Sequence, residues 1–404
     1  MKICLDSIVK EKNRIEFLYH SEGLDEYIDT SIRPFYEYDC NIEGVPDSIA
    51  VVPFIANLLP LCFALDAEIY VKELDETFYN QVDAYREGYQ KMIPMLRFGG
   101  KVISEKLIEN KYETKKNCLL FSGGIDATNS LSVNDEKIDD CITIWGSDIR
   151  CENVNGWTKM SSTIEDTVTK FGKRWIVIRS NFRDYINEST LGQVIKVCGD
   201  GWWHAMQHGV ALLGQVAPLA FLNHYKNIFI ASSNTADHRP ICASDPLTDN
   251  CFRVGSSLTI HDGFEFNRCE KVKNIFKKID EKNITLKLHV CWQSSSGENC
   301  GHCEKCIRSY LNCRAVGGDS ERIGLTPTIS MAQIKNFYLH HMIFDEVQCI
   351  NINPNIAMLN ETYGENIPND LKWLAKLKPE RVNKSLYWRL KYIYLKVKKL
   401  LIKR

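Results

Sequence analysis

Strand-like and helix-like segments alternate along the middle of the chain. Short apolar runs at residues 118–121, 141–145, 175–179 and 227–231 have the length and composition of buried strands. Longer segments of mixed polarity separate these runs. Strands that alternate with helices in this way predict an α/β fold with a doubly wound parallel sheet. In that architecture, ligands bind beyond the carboxyl ends of the strands, where the strand order reverses.

The first 115 residues show a different pattern. Two strand-like runs, at residues 14–19 and 68–71, flank an apolar segment over residues 49–65. Internal prolines in that segment favour a buried helix and turn over a membrane contact. These features predict a separate, smaller N-terminal α/β domain over residues 1–115, ahead of the main domain over residues 116–320.

The chain ends in a strongly basic segment. Helix-like stretches follow residue 320, and the last segment, residues 384–404, has no acidic residue. Its apolar residues recur at spacings of four and three, as on one face of a helix: Leu386, Leu390, Ile393, Val397 and Leu400. Such a stripe could dock on its own protein, or bind an anionic membrane surface, a partner protein or nucleic acid. The pattern predicts C-terminal helices over residues 321–404 and leaves the role of the tail open.

Composition and charge narrow the class of protein. The 404 residues carry a formal net charge of −1, which argues against a globally basic nucleic-acid binder. Residues 1–6 hold too short an apolar stretch for a secretory signal. Most of the 16 cysteines are scattered singly, as expected of reduced thiols. We therefore expect a cytoplasmic protein; a homodimer is allowed, and a nucleic-acid partner is not indicated.

A glycine-rich turn follows the first strand of the alternating region. Its sequence is Ser122-Gly123-Gly124-Ile125-Asp126-Ala127-Thr128. Adjacent glycines let a backbone approach an anion closely, hydroxyls add donors, and the N-terminus of the helix predicted to begin near Ile125 attracts phosphate. The chain contains neither a Gly-x-x-x-x-Gly-Lys-Ser/Thr string nor a Gly-x-Gly-x-x-Gly string, so two other common phosphate loops are excluded.

Four cysteines lie close together downstream. Cys291, Cys300, Cys303 and Cys306 are spaced Cys-x8-Cys-x2-Cys-x2-Cys. Overlapping Cys-x-x-Cys turns let thiolates converge on one tetrahedral ion, so we expect a closed, structural zinc site. An iron–sulfur cluster uses similar ligands and remains the rival interpretation. His302, inside this segment, is expected to point to solvent.

Two histidines stand four residues apart in a different part of the chain. His204 and His208 precede an apolar, helix-like segment over residues 211–222. Histidines at this spacing can ligate one metal, but no third ligand stands at a matching spacing. We expect them to pack against or cap the helix.

The two main motifs together resemble the QueC-like family of PP-loop ATP pyrophosphatases. The family loop is Ser-Gly-Gly-x-Asp-Ser, and this chain departs from it at Ala127, with the Thr128 hydroxyl one residue later. The spacing of the four cysteines agrees with that of the family. An Arg usually stands three residues after the last cysteine, whereas here Arg308 stands two residues after it. The resemblance covers residues 116–320 and does not reach residues 1–115.

The resemblance implies an adenine nucleotide alpha hydrolase-like fold and a set of site residues. Besides the loop from Ser122 to Thr128, the ATP-binding residues would be Ile144, Ser232 and Ser233. The substrate-binding residues would be Asp237, His238 and Arg239. Asp126 and Ser122 would be catalytic, with Asp126 orienting the Mg²⁺ that neutralises pyrophosphate.

The implied activity is that of an ATP-dependent, AMP-forming ligase. ATP would adenylate a carboxylic acid, by resemblance a deazaguanine-type acid, and ammonia or an amine would then give an amide or nitrile. QueC-like proteins also occur in anti-phage and other non-queuosine operons, and a reaction of that kind would join the acid to a protein or another amine.

Two further alternatives stay open. A PP-loop tRNA thiolation enzyme would need a persulfide-bearing cysteine, for which Cys242 and Cys251 are conceivable. A non-catalytic module would bind ATP without turnover, with Ala127 marking a decayed loop.

Overall fold

Eleven strands form one mixed sheet in the computed structural model, which describes residues 1–344, 346–379, 390 and 393–394. The spatial order is β10-β11-β9-β6-β7-β8-β3-β2-β1-β4-β5. The strands are β1 (Lys2–Glu11), β2 (Arg14–Glu22), β3 (Phe35–Tyr38), β4 (Glu68–Asp75), β5 (Lys101–Ile108), β6 (Lys116–Leu120), β7 (Asp140–Trp145), β8 (Arg174–Ser180), β9 (Tyr225–Ala231), β10 (Arg253–Val254) and β11 (Ser257–Asp262).

Five neighbouring strands of this sheet run parallel, in the order β11-β9-β6-β7-β8. The chain moves outward from β6 to β8, returns to place β9 on the other side of β6, and continues to β11. The strand order therefore reverses between β6 and β9. The predicted α/β class is confirmed as a large, mostly parallel mixed sheet.

The first 115 residues belong to that same sheet. β3 pairs antiparallel with β8, with Tyr36 opposite Ser180, and β2, β1, β4 and β5 follow in turn. Residues Met1–Glu265, with Ser295–Gly297, form one compact unit. The separate N-terminal domain is therefore a wrong prediction. The shared sheet could not be predicted from the sequence, because the pairing of β3 with β8 joins residues that are far apart in the chain.

Ten α-helices of this first unit surround or join the strands: α1 (Asp47–Ala50), α2 (Val52–Leu65), α3 (Glu76–Tyr79), α4 (Val82–Met92), α5 (Ile125–Val133), α6 (Val154–Lys170), α7 (Glu188–Val194), α8 (His208–Gln215), α9 (Ala217–Asn223) and α10 (Pro246–Asp249). The apolar segment predicted as a buried helix is α2. Its polar Asn57 is buried and satisfied, because it donates to Phe182 O and Tyr185 Oη and accepts from Gln207 Nε2.

The second unit comprises residues Phe266–Ser294 and the chain from Glu298 onward. Its helices are α11 (Arg268–Lys282), α12 (Glu304–Ala315), α13 (Met331–Asn336), α14 (Glu346–Tyr363) and α15 (Lys372–Ala375). The predicted C-terminal helices are present, but the predicted boundary at residue 320 lies inside this unit. Most of the basic tail, including Leu386, Val397 and Leu400, lies outside the described residues; Leu390 and Ile393 are exposed.

One described segment, Trp203–Asn223, is long and apolar enough by composition to cross a membrane. Of its most apolar window, 78% is buried inside the protein. It comprises a π-helical turn, α8 and α9, and it contributes to the hydrophobic core of the first unit.

Candidate functional site

The predicted phosphate loop joins β6 to α5, at the strand beside which the order reverses. Gly123 has a φ of 72°, in the left-handed region that favours glycine, and Gly124 is the N-cap residue of α5. Phe121 anchors the loop, because its N–H donates to Ile142 O and its carbonyl accepts from Thr143 Oγ1. Ser122 is exposed. The loop thus follows the carboxyl end of β6 and leads into the N-terminus of α5, which no side chain caps.

Ala127 and Thr128 both face the protein interior. Thr128 is fully buried and its Oγ1 has no hydrogen-bond partner, so this hydroxyl is closed off from any ligand in the loop. The expected replacement of the family's last Ser hydroxyl by Thr128 is therefore wrong. The burial of Thr128 could not be predicted from the sequence, because the side of α5 that is buried depends on which elements pack against the helix.

The loop after β9 meets the phosphate loop. Ser233 is exposed, and its Oγ lies 3.5 Å from Asp126 Oδ2. Ser232, only 1% exposed, builds the turn instead: its Oγ donates to Asn234 O and its N–H donates to Asp262 O. Of the two serines, Ser233 is the one whose side chain is available to a ligand.

The predicted substrate residues lie further along the same loop. Asp237 is exposed, and His238 is half-buried. Arg239 donates to both carboxylate oxygens of the buried Asp245, at 3.2 and 2.5 Å, and lies over the Phe264 ring. Arg239 is thus already paired with a carboxylate, which orients it but also neutralises part of its charge.

The end of β7 is rich in aromatic side chains, which sequence reasoning missed. Ile144, the predicted adenosine contact, is half-buried there. The rings of Trp145 and Trp157 stack at 4.9 Å, and the Arg179 guanidinium lies 4.9 Å from the Trp145 ring. Gly146 has a φ of 122°, and a Cβ at this residue would lie 1.8 Å from the Ser180 carbonyl oxygen. Only glycine fits at this turn.

The four predicted metal ligands come together in the second unit. The sulfurs of Cys291, Cys300, Cys303 and Cys306 all lie within 4.8 Å of one another, with two pairs at 3.9 Å. Four thiolates at about 2.3 Å from one zinc ion would be about 3.8 Å apart, so the arrangement fits such an ion. Cys303 also caps α12, because its sulfur accepts from the Cys306 N–H. The cluster can hold a metal such as zinc.

The neighbours of the cluster have structural partners. His302 is exposed, as expected of a side chain that points to solvent, and its Nδ1 lies 2.8 Å from Cys300 O. Arg308 pairs with Glu304 at 2.9 Å and donates to Asn351 Oδ1, which links α12 to α14.

In comparisons with known proteins, no family model matched this chain, and no curated protein or solved structure gave a significant match.

Proposed function

We propose that this chain is a QueC-like PP-loop ligase that adenylates a carboxylic acid with ATP, releases pyrophosphate and passes the acyl group to ammonia or an amine. The observation that carries the proposal is the contact of Ser233 with Asp126. It joins the Ser-Gly-Gly-x-Asp loop to the loop after β9 at the point where the strand order reverses. A ligand crevice in an open α/β sheet lies at such a point.

The phosphate loop supplies the groups that an ATP pyrophosphatase needs. Backbone amides from Ser122 to Asp126 are placed at the N-terminus of α5, where partial positive charge favours phosphate. Asp126 is half-buried beside Ser233 and is suited to hold magnesium. Bound magnesium would neutralise the charge of pyrophosphate. The exposed Ser122 hydroxyl is a further donor.

The loop after β9 would face the acid. Ser233 lies against the phosphate loop, and Asp237 and His238 follow on the same segment. Arg239, oriented by Asp245, would interact with the acid carboxylate before its activation. On this proposal, the nucleotide contacts would come first and the substrate contacts later along one loop.

The four cysteines would hold a structural zinc ion. Because all four positions are sulfur, such a site is closed and has no open position to activate water. Binding of the ion would stabilise the local fold by an apparent free energy of about 10–16 kcal/mol.

The test is pyrophosphate release from ATP with magnesium and a 7-deazaguanine carboxylic acid. The Asp126→Asn variant should lose this activity and keep its circular dichroism spectrum, whereas Asp25→Asn, the same change at an exposed residue, should keep both. Activity of Asp126→Asn close to wild type would overturn the proposal. Stoichiometric ATP binding without pyrophosphate release would favour the non-catalytic module, and sulfur incorporation into tRNA would favour thiolation.

A further inference from the structure

The turn after β7 has a backbone that is held in place, although its tip is exposed. The Gly146 N–H donates to the Ile149 carbonyl at 3.0 Å. The Trp145 Nε1 donates to the Arg150 carbonyl at 3.2 Å. Gly146 also packs directly on the Ser180 carbonyl at the end of β8, where no side chain fits. Hydrogen bonds and close packing therefore fix both ends of the turn.

Arg183, in the segment after β8, fixes the middle of the turn. Its Nη1 donates to the Ser147 carbonyl at 3.1 Å. Its Nε and Nη2 donate to the two carboxylate oxygens of Glu188 at 2.6 and 2.7 Å, and the guanidinium lies 4.1 Å from the centre of the Trp203 ring. A bidentate ion pair sets the orientation of a guanidinium, and stacking on an aromatic ring restricts it further. The Ser147 carbonyl is therefore held by a side chain that is only 12% exposed.

The carboxylate at the tip of this turn is open to a ligand. In the segment after β8, Glu188 is bound by Arg183, and Asp184 accepts from Arg150 Nη1 at 3.0 Å. Asp148, by contrast, is exposed, and its carboxylate makes no hydrogen bond or ion pair with the described part of the chain. Two acceptor oxygens are thus presented to solvent from a preorganised backbone.

The strand register places this turn beside the phosphate loop. β6 and β7 are parallel neighbours, and their last paired residues are Leu120 and Ile142. The phosphate loop begins at Ser122, whereas β7 continues to Trp145. At about 3.3 Å per residue, the end of β7 lies about 10 Å beyond the last pair, one strand away from the loop. An ATP molecule with its phosphates on the loop would have its ribose within reach of the end of β7.

The order of these elements indicates which part of a nucleotide the carboxylate fits. In open α/β sheets with a glycine-rich turn after one strand, the phosphates lie at the following helix, and an acidic residue about 20 residues further on accepts hydrogen bonds from the ribose. Here β6, the phosphate loop, α5 and β7 follow in the same order, and Asp148 stands about 20 residues after Thr128. A carboxylate can accept from both hydroxyls of a ribose at once.

We propose that Asp148 binds the ribose hydroxyls of ATP and so selects ribonucleotides over 2′-deoxyribonucleotides, with Arg183 as the positioning residue of the turn. The inference rests on the proposed function, since the phosphate loop is taken to hold ATP. It adds a specificity-determining residue for the sugar, and the ligand class is a ribonucleoside triphosphate.

The size of the expected discrimination follows from the exposure of Asp148. A 2′-deoxynucleotide removes one charge-assisted hydrogen bond and leaves the other. Because water can solvate an exposed carboxylate again, the loss should be about tenfold in affinity, well below that of a buried site.

Calorimetric titration with ATP or 2′-deoxy-ATP tests the carboxylate, in the presence of magnesium and without an acid substrate. Wild type should bind ATP about tenfold more tightly than 2′-deoxy-ATP. Asp148→Ala should bind both nucleotides with equal, weaker affinity and keep its melting temperature. Asp25→Ala, the same change at an exposed aspartate after β2, should keep the wild-type ratio.

Arg183→Lys tests the positioning residue, because a lysine cannot hold Glu188 in a bidentate pair and bind the Ser147 carbonyl as well. The ratio of the two affinities should fall toward one, and the amides of residues 146–149 should exchange faster. Arg174→Lys is the control, because Arg174 lies at the other end of β8 and donates to Asn223. A lower melting temperature of Arg183→Lys with an unchanged ratio would show that Arg183 is structural and overturn its positioning role.

The outcomes separate this inference from the proposed function. Equal affinity of wild type for ATP and 2′-deoxy-ATP, or an unchanged ratio in Asp148→Ala, would overturn the ribose contact and leave the ligase proposal standing. Wild type that binds neither nucleotide would overturn both.

Discussion

The Oγ of Ser233 lies 3.5 Å from a carboxylate oxygen of Asp126, and this contact joins the loops that follow β9 and β6. Since the hydrogen bond is long, its loss should cost little. We expect Ser233→Ala to lower the rate of pyrophosphate release by at most about tenfold, equivalent to about 1.4 kcal/mol, with unchanged stability. Steady-state assays would check this. A loss as complete as that of Asp126→Asn would show that the Ser233 hydroxyl does more than support Asp126.

Gly123 and Gly172 have nearly the same backbone conformation, with φ of 72° and 70°. Alanine at either residue should destabilise the fold by about 1–2 kcal/mol, because a Cβ is strained in the left-handed region. Only Gly123→Ala should also weaken ATP binding, since Gly172 follows α6 away from the phosphate loop. Thermal melts and calorimetric ATP titration separate the two effects. Equal ATP affinity in both variants would argue against the phosphate loop.

Cys303 and Cys313 provide a matched pair of serine substitutions, because both are buried and lie at or in α12. Cys303→Ser removes one of four converging thiols and should lose bound metal and stability in the second unit. Cys313 donates to Ser309 O instead, so Cys313→Ser should retain the metal. Metal analysis by mass spectrometry should give one zinc per chain for wild type. Visible absorption with bound iron would support the iron–sulfur alternative.

Tyr36 pairs with Ser180, and its Oη donates to the Pro53 carbonyl in the buried interior. Deletion of residues 1–115 should therefore prevent folding of the remaining strands, because it removes the hydrogen bonds of β3 to β8 and the apolar helix α2 from a shared core. The measurement is solubility and circular dichroism of the shortened chain. A stable, ATP-binding fragment would restore the separate-domain interpretation.

Asp200 and His204 predict a pH-dependent contribution to stability. The hydrogen bond with Asp200 raises the pKa of His204 to about 10 from its ordinary value of 6.5. Stability from the protonated ring is therefore full below pH 6.5 and is lost as the pH rises toward 10. Asp200→Asn should lower the melting temperature at pH 7, by a small amount because both side chains are about half exposed. The difference from wild type should shrink toward pH 10, and a widening gap would contradict this.

Much of the parallel block could be predicted from the sequence, because buried strands such as the one ending at Trp145 are short apolar runs between turn residues. The phosphate loop and the four-cysteine cluster could also be predicted, because the residues of each motif lie close together in the sequence. The pairing of Tyr36 with Ser180 and the burial of Thr128 depend on contacts between distant segments. The pattern of residues along one sequence does not indicate which distant segments come into contact.

The sheet order also decides where the described protein could aggregate through unpaired strands. An open outer side of β8 would offer free backbone groups to another chain, but β3 covers it. The outermost strands are then β10, which has two residues, and β5. β5 carries Lys101, Glu105 and Lys106, and charges of this kind discourage strand addition. Placing the N-terminal strands in the sheet thus moves its exposed ends to a very short strand and a charged one.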